Sequence, residues 1–215
     1  MNRLLGLVVA ITLSSNAVAG ETDLKIRLAS AKPGQTITLP AGEFRGGVTL
    51  PAGVSLKGAG LGQTIIEGGL TVQGGSGAQV SDLTLRGAGL AVGDAAAVTV
   101  ARMRATGGAS GFTFRNVTKG RLENCISDHN NFGIAINGGA DCVVVNCTVA
   151  SCAEIGLSVA ASPNLVAFNN CVVNSTICLN LDKADGVRVD HNLYFGTYVA
   201  QVREQTPKRI LSGWQ

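Results

Sequence analysis

Aromatic residues make up only 4% of the chain and charged residues 14%. With so few rings for base stacking, no basic cluster and a formal net charge of only +3, the sequence argues against nucleic acid as a partner. Cysteine is missing from the first half. All six, at positions 125, 142, 147, 152, 171 and 178, come later, so the fold does not depend on disulfides. There is no CxxC and no histidine at zinc-finger spacing from a cysteine pair, which argues against a structural zinc site. Helical periodicity sustained over ten or more residues is absent, and past the N-terminus no apolar run is long enough to span a bilayer.

What remains is glycine and short apolar runs. The 215 residues include 29 Gly and are 46% hydrophobic, much of it Val, Ile, Leu and Ala in brief stretches, a composition of strands and sharp turns. The length suits one domain with a sizeable core. The opening, MNRLLGLVVAITLSSNAVAG, has Arg3, an apolar stretch from Leu4 to Leu13 and the small residues Ala17-Val18-Ala19. This is the pattern of a secretory signal, so residues 1–19 are expected to be removed and 20–215 to form an exported domain, extracellular or periplasmic.

ENCISDHNNFGIAI at Glu123 and VNCTVASCAEIGLSV at Val145 run through the same order of parts. Aligning the two exposes a longer repeat. One column reads Leu83, Met103, Cys125, Cys147, Cys171, Leu193; a second reads Leu90, Phe112, Ile134, Leu157, Leu179; a third reads Val100, Leu122, Val144, Phe168. Three columns sharing a period of roughly 22 residues, each inside a two-residue alternation, describe short strands stacked coil upon coil in a solenoid. The leucine-rich frame LxxLxLxxN and the calcium-binding nonapeptide are absent. Asn124, Asn146, Asn170 and Asn192 each precede a member of the first column, and are expected to stack as an inward ladder of amides. Gly89, Gly111, Gly133 and Gly156 precede the second column, where a bend needs a residue without a Cβ.

The segment DLKIRLASAKPGQTITLPAGEFRGGVTLPAGVSLKGAG, followed by these columns, resembles the right-handed parallel β-helix proteins of the pectin lyase-like superfamily. The resemblance covers the chain from about Thr22 onward. It implies an all-β, right-handed, single-stranded parallel β-helix with a short N-terminal capping helix over its first coil. At the other end KRILSGWQ either folds back as a cap or precedes further coils. The resemblance also implies carbohydrate as the partner. A polysaccharide lyase, or a related epimerase or hydrolase, is one reading; a non-catalytic cell-surface or periplasmic binding or structural module is the other. Oligomeric state has no signature in the sequence.

The arc between the first and second columns varies in length from coil to coil while the return is nearly fixed, and in solenoids such arcs carry binding sites. Here it holds Asp128-His129-Asn130-Asn131, which reads either as a site or as an ordinary turn. A second DHN, Asp190-His191-Asn192, differs in phase and belongs to another part of the coil. Its VDH stretch resembles a dipeptide of pectate lyases, with Arg188 where the usual aromatic stands. A lyase needs a base and a neutralised uronate carboxylate, usually by calcium. Asp128, His129, Asp190, His191, Arg188 and Lys183 are therefore the catalytic candidates, and Asp182, Asp185 and Asp190 the candidate calcium ligands. The latter three read more simply as a solvated charged turn. The Asp-Asp and Gly-His-Gly signatures of polygalacturonases are missing. The cysteine column reads as buried, inert thiols rather than nucleophiles. Asn-x-Ser/Thr occurs at Asn116, Asn146 and Asn174, but an inward Asn146 could not be glycosylated without breaking the fold.

Overall fold

The structure, a computed structural model, describes residues 24, 26, 28–203 and 210–211. The expected signal segment, 1–19, lies outside them. Successive strands are short, alternate between buried and outward-facing residues, and pair in parallel with the strand one coil away. Each coil therefore donates its backbone groups upward and accepts from below, so one coil alone could not satisfy them.

Three parallel sheets run the length of the solenoid. The first includes Ile126–Asp128, Thr148–Ala150, Cys171–Val173 and Leu193–Phe195. The second includes Phe132–Ala140, Ile155–Ala160, Ile177–Asp182 and Tyr198–Arg203. The third includes Arg121–Glu123, Val143–Val145, Val166–Phe168 and Arg188–Asp190. In earlier coils the bends are gentle enough for one strand, Gln79–Gly93, to serve all three sheets in turn. The inward residues stack into one continuous apolar core.

The second column is in register as expected: Leu90, Phe112, Ile134, Leu157 and Leu179 lie opposite one another, all buried. The other two columns hold as far as Val144 and Cys147, then shift by one residue. Val144 pairs with Ala167, which is buried, while Phe168 points outward and is 40% exposed. Thr148 pairs with Cys171, which puts Asn170 beside Cys147 in the core and leaves Leu193 56% exposed. Hydrophobicity alone favours Phe168, Cys171 and Leu193 as the inward residues; hydrogen bonding reverses the choice. Asn170 Oδ1 accepts from the Cys147 backbone N–H at 2.9 Å, and its Nδ2 donates to the Val144 carbonyl at 3.0 Å. Asn192 repeats the arrangement one coil on, its Oδ1 accepting from Asn170 and its Nδ2 donating to the Ala167 carbonyl. A bend that would strand backbone groups in the core is closed by an amide instead.

The expected single asparagine ladder is thus two. Asn170 and Asn192 stack inside. Asn124, Asn146 and Asn169 occupy the preceding position at the bend, with φ of 53°, 54° and 55°, the left-handed conformation that asparagine tolerates. Asn146 is exposed, its Oδ1 accepting from Asn169 Nδ2 at 2.7 Å, so the premise that it points inward is corrected. The glycines before the second column do meet their expectation. A Cβ on Gly133 or Gly156 would run into Val149 or Val172, respectively.

The expected capping helix is not supported as an element. Within 21–29 only Leu24, Ile26, Leu28 and Ala29 are described; their backbone is helical, and Leu24 and Leu28 are buried against the core. Among the described residues no helix is long and apolar enough to cross a membrane.

Two substitutions separate the observed register from the one hydrophobicity favours. Asn170→Ala strips partners from buried backbone groups and should cost about 2–3 kcal/mol, whereas Phe168→Ala should cost under about 1 kcal/mol. Urea unfolding measures both; the reverse ranking would restore Phe168 to the core. Leu157→Asp places a charge in the stacked core and should abolish folding, read by circular dichroism.

Candidate functional site

From Val80 onward two of the three bends keep a constant length. From third sheet to first, Val100 to Met103, Leu122 to Cys125, Val144 to Cys147 and Ala167 to Asn170 are all the same short step. From second to third, Phe112 to Leu122, Ile134 to Val144, Leu157 to Ala167 and Leu179 to Val189 are again equal. In the first coils the step from third sheet to first varies, Leu56 to Ile66 being longer than the equivalent Val80 to Leu85. From Val80 onward only the arc from first sheet to second changes length: Leu85 to Leu90 is shorter than Ser127 to Ile134, and Val149 to Leu157 is longer. A site built on this arc does not disturb the core.

The arc carries the first DHN, and its three residues have three roles. Asn130 is 2% exposed and belongs to the scaffold: its Nδ2 donates to the Ala105 carbonyl and to Ser127 Oγ, and its Oδ1 accepts from Gly108 N–H at 2.8 Å. Asp128, 6% exposed, is clamped by a residue the sequence reading missed. Arg104 Nε and Nη2 donate to Asp128 Oδ1 and Oδ2 at 2.9 and 2.7 Å. This two-pronged contact holds the Asp128 carboxyl at a pKa of about 2, with a smaller contribution from His129. His129 stands out into solvent with its side chain 71% exposed, and its Nδ1 lies 2.9 Å from Asp128 Oδ2. A carboxylate only accepts, so Nδ1–H is the donor, and in the neutral ring Nε2 is then the acceptor. Arg104, Asp128 and His129 form a chain that ends in an oriented imidazole nitrogen, the arrangement a proton acceptor needs.

His129 opens a row of arc residues. Its backbone N–H donates to Ala150, that of Ser151 to Val173 and that of Asn174 to Phe195, so His129, Ser151 and Asn174 lie one above another on successive coils. Beside the upper part of this row is an open groove of about 610 Å³, lined by Ser151, Asn174, Thr176, Phe195 and Thr197, among others.

The remaining candidates do not join this site. Asp190 and His191 sit at the end of the third sheet and the following bend, with His191 Nδ1 3.0 Å from Asp190 Oδ1 and its ring 4.8 Å from that of Phe168. Arg188 begins the same strand and is exposed. Asp182 ends a strand of the second sheet, while Lys183, with φ 47°, and Asp185 lie in the bend beyond it. Asp182, Asp185 and Asp190 are thus spread over two sheet ends, and among the described residues no group of three or more His, Cys, Asp or Glu could hold a metal. All six cysteines are free. Cys125 and Cys147 stack in the core, where burial pushes the Cys125 thiol up, and each thiol donates to a carbonyl of its own bend. Cys171, the expected third member, is out of register and half-buried.

A parallel solenoid whose later coils vary in one outward-facing arc belongs to a class of protein that builds its sites on turns. Over residues 68–204, more than half of the chain, the sequence matches the family described as right handed beta helix region. The chain belongs to that family. No curated protein matches it. Among solved structures it is similar to the A-module of a mannuronan C-5 epimerase from Azotobacter vinelandii. The two share 21% identity over 85% of this chain and 74% of that one, with a TM-score of 0.55. An alginate lyase from a Paenibacillus strain aligns over 86% of this chain and 97% of its own, at 14% identity and TM-score 0.54. A surface adhesin of Streptococcus pneumoniae aligns over 79% of this chain and 58% of its own, at 10% identity and TM-score 0.56. At these identities the likeness is one of fold.

The Asp128 carboxyl is held below its unfolded value of 3.8, so its pairing stabilises the fold fully above about pH 4 and is lost as pH falls toward 2. Asp128→Asn should therefore be less stable than the parent at pH 6 by about 1–2 kcal/mol, a figure discounted for the half-exposed Arg104. The gap should close as the pH of the denaturation series approaches 2. A gap that stays constant with pH would show that the ion pair contributes nothing.

Proposed function

We propose that the protein is exported and engages a polysaccharide along the variable arc, with His129 as the proton-transferring group at one end of the binding row. The observation that carries this reading is the His129–Asp128–Arg104 chain opening onto the row of His129, Ser151 and Asn174, beside which the groove lies. The carbohydrate-acting proteins that share the fold support it by analogy.

Within this proposal, Asp128 is the positioning residue and stays ionised. Arg104 keeps it so, and the carboxylate fixes the tautomer in which Nε2 can accept a proton. The lyase form of the reaction would use Nε2 to take the proton beside a uronate carboxylate, which must itself be neutralised. Nε and Nη2 of Arg104 are already donated to Asp128, so its charge is committed to that carboxylate rather than to a substrate's. Glycan engagement with a single acid–base group is what the geometry supports best.

A non-catalytic binding module is the second reading. It is favoured by the lining of the groove, which offers no acid or base to pair with His129, and by the fold shared with an adhesin.

Incubating the purified protein with acidic and neutral polysaccharides, with calcium or with chelator, and reading the products by mass spectrometry decides between the two. His129→Ala should lower turnover by about a hundredfold or more while lowering the thermal unfolding temperature only slightly, because the ring is exposed and is held by its hydrogen bond to Asp128. Turnover that survives His129→Ala would remove His129 from the chemistry, and binding without products would establish the module.

A further inference from the structure

The groove above His129 has an unusual lining for a site in a family with acid-polysaccharide enzymes among its structural neighbours: none of its residues is Asp, Glu, Lys or Arg. Ser151, Asn174, Thr176 and Thr197 present hydroxyls and an amide, while Cys152 and Ser175 are buried beneath them. A carboxylate bound here would exchange water for neutral dipoles with no cation to offset the loss, which is costly. A hydroxyl-bearing ring needs only hydrogen bonds, and the lining supplies both donors and acceptors.

The apolar half of such a ring has a partner too. Phe44, Phe112 and Phe114 are core residues, no more than 3% exposed, yet Phe195 is 70% exposed and Tyr198 nearby is 61% exposed. In a chain only 4% aromatic, the Phe195 ring brought to the surface in the lining of this groove forms a platform for the C–H face of a sugar. The register sets the direction. His129, Ser151 and Asn174 step up successive coils, and Phe195 lies on the next, opposite Val173, the residue before Asn174. At about 4.8 Å per coil the row from His129 to Phe195 is roughly 14 Å long.

We propose that this groove binds an uncharged glycan chain laid along the solenoid axis, about one sugar unit per coil, with one unit stacked on Phe195 and the chain leading to His129. The proposal rests on the arc being the glycan site and narrows the substrate class to neutral sugars.

Calorimetric titration of the whole protein with neutral gluco-, manno- and xylo-oligosaccharides of increasing length, and with oligouronates of the same lengths, tests it. A neutral series should bind with affinity that rises to about four units and then levels. Phe195→Ala should weaken it by about tenfold or more, and Asn174→Ala by less. Phe195→Ala should unfold at the parent's temperature, because its side chain is exposed, whereas Asn174→Ala should unfold slightly below it, because Asn174 has φ 55°, which alanine tolerates less well than asparagine. Binding of oligouronates that depends on Phe195 would overturn the neutral class while leaving the polysaccharide reading in place. Neutral binding indifferent to Phe195→Ala would overturn the groove as its location. Failure of both series to bind would overturn the polysaccharide reading itself.

Discussion

Every part of this molecule depends on parallel, in-register stacking at strand spacing. A coil satisfies its backbone only through its neighbours, so its inward residues must fall where theirs do. That requirement fixes the short step between third and first sheets and the longer step between second and third. It also puts Asn170 rather than Cys171 in the core, because the bend leaves an N–H and a carbonyl that only an amide can serve together. The arc that goes on changing length in the coils from Val80 onward is where the exposed histidine, the groove and an outward aromatic are found.

The same constraint explains what could be read from the sequence. The second column was legible throughout, since Leu90, Phe112, Ile134, Leu157 and Leu179 are large, apolar and preceded by small residues. The first and third columns were legible until the coil that begins with Val166. There a small inward Ala167 and a polar inward Asn170 flank an exposed Phe168, so hydrophobicity points to the wrong residues. The amide's role depends on which backbone groups a bend strands, and that is a property of three dimensions. Arg104 was missed for a simpler reason. It follows Met103 as Ile126 follows Cys125, so the first column already placed it on the outward face one coil below Asp128. The equivalent positions above Asp128 are Ala150 and Ser151, with no charge, and looking only upward hides the ion pair.

The DHN motif is neither wholly site nor wholly turn. Asn130 builds the bend, Asp128 anchors it to the coil below, and only His129 is presented outward. The second DHN has the same letters with different partners: His191 rests on Phe168, and Asn192 is core scaffold. Identical tripeptides thus acquire different roles from their phase in the coil. The electrostatics of the arc follow the same logic. Arg104 and Asp128 neutralise each other at its lower end, and the row above them continues with polar, uncharged groups. An ion pair that orients a histidine beside a neutral groove is compatible with acid–base work on a sugar chain and with simple recognition of one.

The account's central claim is that recognition takes place on the arc between the first and second sheets. Hydrogen–deuterium exchange, with and without a polysaccharide that binds, tests it most directly. Protection on binding should appear in the arc segments around 129–131, 151–153, 174–176 and 195–198, with the sheets unchanged. Protection confined instead to the outer face of the third sheet, at 143–145, 166–168 and 188–190, would contradict the claim and move the site to the Phe168–His191 side of the solenoid.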